Sequence, residues 1–152
     1  MQLHPAEPGD AIGYAAESLA AGFIGLDFRT DVGDLLEASQ GDLPDGQKDY
    51  WEFAHEMAVG DQILVIVHHY PFALAKVVGE YNYIRRAEPE IGVWFRHFRR
   101  IDRQLLRFYA DRLTNPKAWD RITMTDTISP LRDPSTQSFQ LIKAWLKDTG
   151  SP

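Results

Sequence analysis

The chain has 152 residues, 44% apolar and 25% charged, the usage of an ordinary globular protein and not of a disordered or fibrous one. At about 150 residues per domain, a single domain over 1–152 is expected. Cysteine is absent, which removes thiol catalysis, cysteine-ligated zinc and a disulfide framework together, and a net charge of −6 weighs against a generally basic nucleic-acid binder. No apolar run approaches the ~18 residues of a membrane span, and the opening MQLHPAEPGD has no basic, apolar leader, so a cytoplasmic protein without membrane contact is expected.

In chain order, residues 2–5 read as a short edge strand. Residues 12–21 read as a helix with Ala15, Ala16 and Leu19 on one side and Gly22 where a C-cap glycine belongs. Residues 23–28 form a strand whose internal Gly25 marks a bulge or a close backbone approach. The breaker-rich run 41–46 is a surface loop, and 49–57 is a short helix ended by Gly60. Residues 62–69 (QILVIVHH) are β-branched and almost wholly apolar, hence a buried central strand.

A turn at Tyr70-Pro71-Phe72 leads into a neighbouring strand over 73–84, and 93–101 is another strand. Ile101, Leu105, Phe108, Tyr109 and Leu113 then fit one stripe of an amphipathic helix. Residues 122–128 are a last strand. Asp133 caps a final helix with Pro134 in its first turn and Phe139, Ile142 and Leu146 facing inward. The sum is an α+β fold of five to six strands and three to four helices around a mixed, curved sheet or small barrel.

Catalytic signatures are missing. There is no phosphate loop, dinucleotide turn, nucleophile elbow or HExxH pair, and Pro44-Asp45-Gly46-Gln47-Lys48 lacks the Glu-x-Lys that would complete a metal-dependent nuclease signature. His68 and His69, adjacent on a strand, would point to opposite faces. No cofactor, no metal and no enzymatic activity are expected.

Recognition is the remaining reading. Residues 1–84 carry 3 basic and 14 acidic side chains, whereas 85–152 carry 13 basic and 8 acidic ones. Eight of the eleven arginines fall between Arg85 and Arg112, where no lysine occurs. A planar guanidinium suits phosphates and base edges better than a point charge does. Tyr81 and Tyr83 alternate on a strand and so share a face, with Asn82 opposite, just before the arginine cluster. Paired rings beside arginines make a base-stacking site with a phosphate-binding rim, each stacked base being worth ~1–3 kcal/mol.

Four stretches in order resemble the EVE domain of the PUA-like superfamily, the relatives of YTH and ASCH domains. They are Gly22-Phe23-Ile24-Gly25-Leu26-Asp27-Phe28 running on to Val32-Gly33-Asp34-Leu35; the run from Trp51 to Gly60-Asp61-Gln62-Ile63; Ala75-Lys76-Val77-Val78-Gly79-Glu80-Tyr81-Asn82-Tyr83; and His97-Phe98-Arg99-Arg100-Ile101. Leu26 and Phe28 stand where that family often places tryptophan.

The resemblance implies a reader that flips a modified base into an aromatic pocket, as the specificity module of a modification-dependent restriction or defence system. Trp51, Tyr81, Tyr83 or Trp94 would stack on the base. His97, Arg99 and Arg100 would contact phosphates or the emptied stack, and Asp34 or Asn82 would bond the base edge. The implied partners are modified DNA or RNA and a nuclease or translocase effector in cis or in trans. Two alternatives stand beside it: an RNA- or nucleotide-ligand-binding domain, and a dimerisation domain joining acidic and basic halves.

Overall fold

The computed structural model describes residues 1–3, 11–27, 30–47, 49–109, 122 and 126–148. In chain order they form α1 (Ala11–Ala21), β1 (Phe23–Leu26), α2 (Asp49–His55), β2 (Gln62–Val67), β3 (Tyr70–Lys76), β4 (Asn82–Tyr83), β5 (His97–Arg100), β6 (Arg107–Phe108) and α3 (Gln137–Asp148). The fold is α+β. Its strands make two three-stranded sheets, ordered β1-β5-β4 and β2-β3-β6, and every described pairing is antiparallel where a mixed sheet was expected. Between β2 and β3 the two-residue connection permits only that geometry.

One bent ribbon runs through both sheets. Tyr83 pairs with His97 and Asn82 with Phe98 in the first sheet. Val77 bridges Ile101 at the corner, and Leu74 pairs with Arg107 and Ala73 with Phe108 in the second. Corner bonds from Val78 and Gly79 N–H to the Arg100 carbonyl, and from Asp102 N–H to that of Lys76, keep the ladder continuous. The expected long strands over 73–84 and 93–101 are therefore each broken. The glycine at 79 lets the chain bend there because its hydrogen lies against Arg100, where a Cβ would sit 2.9 Å from the Arg100 Cβ.

The helix over 12–21 and its cap are found: Gly22, at φ +96°, donates to the Leu19 carbonyl at 2.9 Å. The reading of Gly25 as a close approach also holds, since an added Cβ would run into the Phe95 ring and the His97 carbonyl. Strand β2 is buried on both faces. Ile63, Val65 and Val67 enter the main core with Leu19, Ile24, Leu26, Phe53 and Val77, while Leu64 and Ile66 join Ile122 in a second cluster. Each such side chain contributes about 2 kcal/mol relative to exposure. Its position is at the edge of its sheet and not the centre. Met1 runs alongside, donating from its main-chain nitrogen to the Leu64 carbonyl and accepting from Ile66 N–H, both at 2.9 Å.

Four local expectations are corrected. The β2–β3 turn is His68-His69, both at positive φ (50° and 69°), and Tyr70-Pro71-Phe72 belongs to β3. Residues 101–109 are not helical: Asp102 Oδ1 accepts from the N–H groups of Gln104 and Leu105, turning the chain into β6. Leu113 lies outside the described residues. Asp133 closes a turn through Ser135 N–H, and α3 starts later, with Thr136 Oγ1 accepting from Phe139 N–H at 3.3 Å. Of the expected strand over 122–128, residues 123–125 lie outside the described set. On its flanks Ile122 N–H donates to the His69 carbonyl, and the Thr127 carbonyl accepts from Gln2 N–H.

Candidate functional site

After β1, residues 31–38 form a loop shaped by two aspartates. Asp31 Oδ1 accepts from Gly33 N–H and Asp34 Oδ1 from Leu36 N–H, each at 2.9 Å. Four side chains from α2 and the β4 region then hold the loop. Tyr83 donates its hydroxyl to Asp31 Oδ2 at 2.7 Å, and Leu35 N–H donates to the Tyr81 hydroxyl at 3.1 Å. His55 Nε2 donates to the Leu35 carbonyl at 2.8 Å, and Trp51 Nε1 to that of Ala38 at 3.2 Å. Leu35 is fully buried beneath this clasp.

The strand period places Tyr81, Tyr83 and His97 on one face. The Tyr81 hydroxyl and His97 Nδ1 are 2.8 Å apart and hydrogen bonded. The His97 ring lies nearly parallel to both tyrosines, with centroids 6.1 Å from Tyr81 and 5.1 Å from Tyr83. His97 and Tyr81 are buried, while Tyr83 keeps part of its ring at the surface and Asp31 is exposed.

The electrostatics follow from this packing. Burial lowers the His97 pKa to about 4, so the ring is neutral at pH 7. Burial foremost, and Asp31 as well, raises that of Tyr83, on whose hydroxyl the charges of Arg85 and Arg96 act in the opposite sense. Burial alone would raise Asp31; hydrogen bonds from Tyr83 and Gly33 and the charge of Arg96 outweigh it and hold the carboxyl below its ordinary value. Arg96 reaches the buried Asp27 at 3.4 Å. The arrangement offers an aromatic shelf, an ionised acceptor-only carboxylate and two neighbouring guanidinium groups.

The nine residues singled out in the sequence do not form one cage. Tyr81, Tyr83, His97 and Asp34 come together, with Asp34 close enough to the Tyr81 hydroxyl to raise its pKa further. Trp51 is stacked on His55 at 4.1 Å and touches the site through the loop. Asn82 and Arg100 belong to the opposite face of the first sheet, in register with Phe98 and Phe23 respectively. Trp94 packs there too, with its ring 6.2 Å from Phe23.

Arg99 is corrected outright. It is 1% exposed, with Nε and one terminal nitrogen donating to the Phe53 and Ala54 carbonyls at 2.9 and 3.1 Å and the other donating to Gly79 at 3.3 Å. In this position it meets no phosphate. Alternation along the strand had already set Arg99 and Arg100 on opposite faces, and core packing decided which one faced inward. Sequence reasoning missed Asp31, for which the Asp31-Val32-Gly33 turn signal was the available clue, and included Arg85 and Arg96 only as members of the arginine cluster beside the tyrosines.

Among the described residues, no group of three or more His, Asp or Glu is placed to hold a metal ion, and no helix is long and apolar enough to cross a membrane. No protein-family model, curated protein or solved structure matches the chain.

Proposed function

We propose that this chain is a non-catalytic, cytoplasmic reader of a modified nucleic-acid base, built on an EVE-like variant of the PUA-like fold. It takes a flipped base at Tyr83 and the loop carrying Asp31. The observation that carries the reading is the Tyr83 ring, part-exposed, backed by His97 at 5.1 Å and tied to the exposed Asp31 carboxylate at 2.7 Å. A ring fixed at both its face and its hydroxyl is a preorganised stacking surface. The ionised carboxylate beside it accepts an N–H of a base edge. Arg85 supplies positive charge near the Tyr83 hydroxyl despite the chain's net charge of −6, and Arg96, ion-paired with the buried Asp27, acts on it in the same sense.

Modified DNA is the proposed ligand, with RNA as the alternative, and the reader would act for a nuclease or translocase effector. The test is a titration at moderate salt against matched duplexes carrying unmodified bases, 5-methylcytosine, 5-hydroxymethylcytosine or N6-methyladenine, with single-stranded RNA alongside. A tenfold preference for one modified duplex, about 1.4 kcal/mol, is expected. Absence of binding to every probe would overturn the reading.

A further inference from the structure

On the second sheet, away from Tyr83, a groove of about 980 Å³ lies between α3 and the α2–β2 segment. Its floor includes Leu64 and Ile66 of β2. One wall is the α3 stripe of Phe139, Ile142 and Leu146, all half-buried, spaced to fall on one side of the helix. The other side carries Glu52 of α2, Glu56 in the turn just past its end, and Asp61, whose Oδ2 accepts from Ala58 N–H at 2.9 Å. Among the described residues of the lining, these three acids are accompanied by one lysine, Lys143. Arg132 reaches Glu56 at 3.4 Å, but both side chains stay largely at the surface.

We propose that this groove docks an amphipathic helix bearing basic residues, supplied by a partner protein. The apolar floor and α3 wall receive the helix's apolar stripe, and the acids meet its cationic flank. An extended peptide does not suit the site. The backbone groups of β2 that it would pair with at Leu64 and Ile66 are already bonded to Met1, which leaves side-chain contact as the means of binding. The same acids repel nucleic acid and anionic lipid, so the groove serves a protein and not the ligand of the Tyr83 site.

The test uses two labelled synthetic helical peptides of about 15 residues with one leucine pattern, one carrying lysines and the other glutamates at the polar positions. Anisotropy titrations on the full chain at moderate salt should show the lysine peptide at least tenfold tighter. Glu52→Lys combined with Glu56→Lys should remove that preference while leaving the ratio of modified to unmodified duplex affinity unchanged, which separates failure here from failure of the base reader. Phe139→Ser should weaken the lysine peptide at least fivefold, with circular dichroism checking that the helix content is kept.

Equal affinity for both peptides, or no binding of either, would overturn the proposal. So would concentration-dependent self-association by light scattering that the groove variants abolish, because the occupant would then be a second copy of this chain.

Discussion

Arg99 on β5 reaches the end of α2, where its Nε donates to the Phe53 carbonyl at 2.9 Å and its charge centre sits 5.7 Å from the Phe53 ring. The last carbonyls of a helix have no intrahelical partner, and a cation there also complements the helix dipole. A residue that looked like a phosphate contact is thus the clamp that fixes α2 to the first sheet. Arg99→Ala leaves the Phe53 and Ala54 carbonyls without their donor. It should cost about 3 kcal/mol in urea denaturation, with Arg99→Lys recovering only part. The salt dependence of nucleic-acid binding should stay the same in Arg99→Lys.

Stability should also depend on His97. Its folded pKa is about 4 against an ordinary 6.5, so between those values the unfolded chain binds a proton that the folded one does not. The stabilisation is complete above pH 6.5 and is lost as pH falls towards 4, by about 3 kcal/mol at ~1.36 kcal/mol per unit. Chemical denaturation of wild type and His97→Gln across pH 4 to 7 isolates this share as the difference in slope. Parallel curves would show that His97 does not carry it.

At Tyr83, ring and hydroxyl are separable. Tyr83→Phe keeps the stack on His97 and removes the bond to Asp31, so the Asp31 carboxyl should titrate closer to its ordinary value by NMR. Affinity for the modified duplex should fall less than fivefold. Tyr83→Ala removes the shelf itself and should cost tenfold or more, within the ~1–3 kcal/mol of one stacked base.

The β2–β3 hairpin turns on two histidines at positive φ, a conformation that Asn-Gly adopts with far less strain. Replacing His68-His69 by Asn-Gly should stabilise the protein by about 1 kcal/mol, a rise of roughly 2–4 °C in Tm. An unchanged or lower Tm would mean that the histidine side chains make contacts worth more than the strain.

Where composition and period agreed, the sequence was readable. Residues 12–21 fall within helix α1, 49–57 contain α2, and the apolar run at 62–69 contains β2. Pro71 misled because proline usually marks a turn. Here it pairs with Ile66 next to the register shift between Val65 and Ile66, where a strand tolerates a missing N–H. Leu105, Phe108 and Tyr109 have helical spacing, yet Leu105 and Phe108 are 40% and 44% exposed, and Asp102 captures the N–H groups that a helix would need. Of the site, the Tyr81–Tyr83–His97 face followed from strand alternation. Which of Arg99 and Arg100 pointed inward did not, because that depends on α2 packing from more than forty residues away.

The ribbon shared by the two sheets bears on how the protein comes apart. Its corner, where Val77 meets Ile101, is buried and hydrogen bonded to both sides, so neither sheet can open without breaking the other's backbone ladder. Amide exchange should therefore find its slowest sites at Val77, Val78 and Ile101, with protection equal to the global unfolding free energy, and the strands on either side should melt as one cooperative unit.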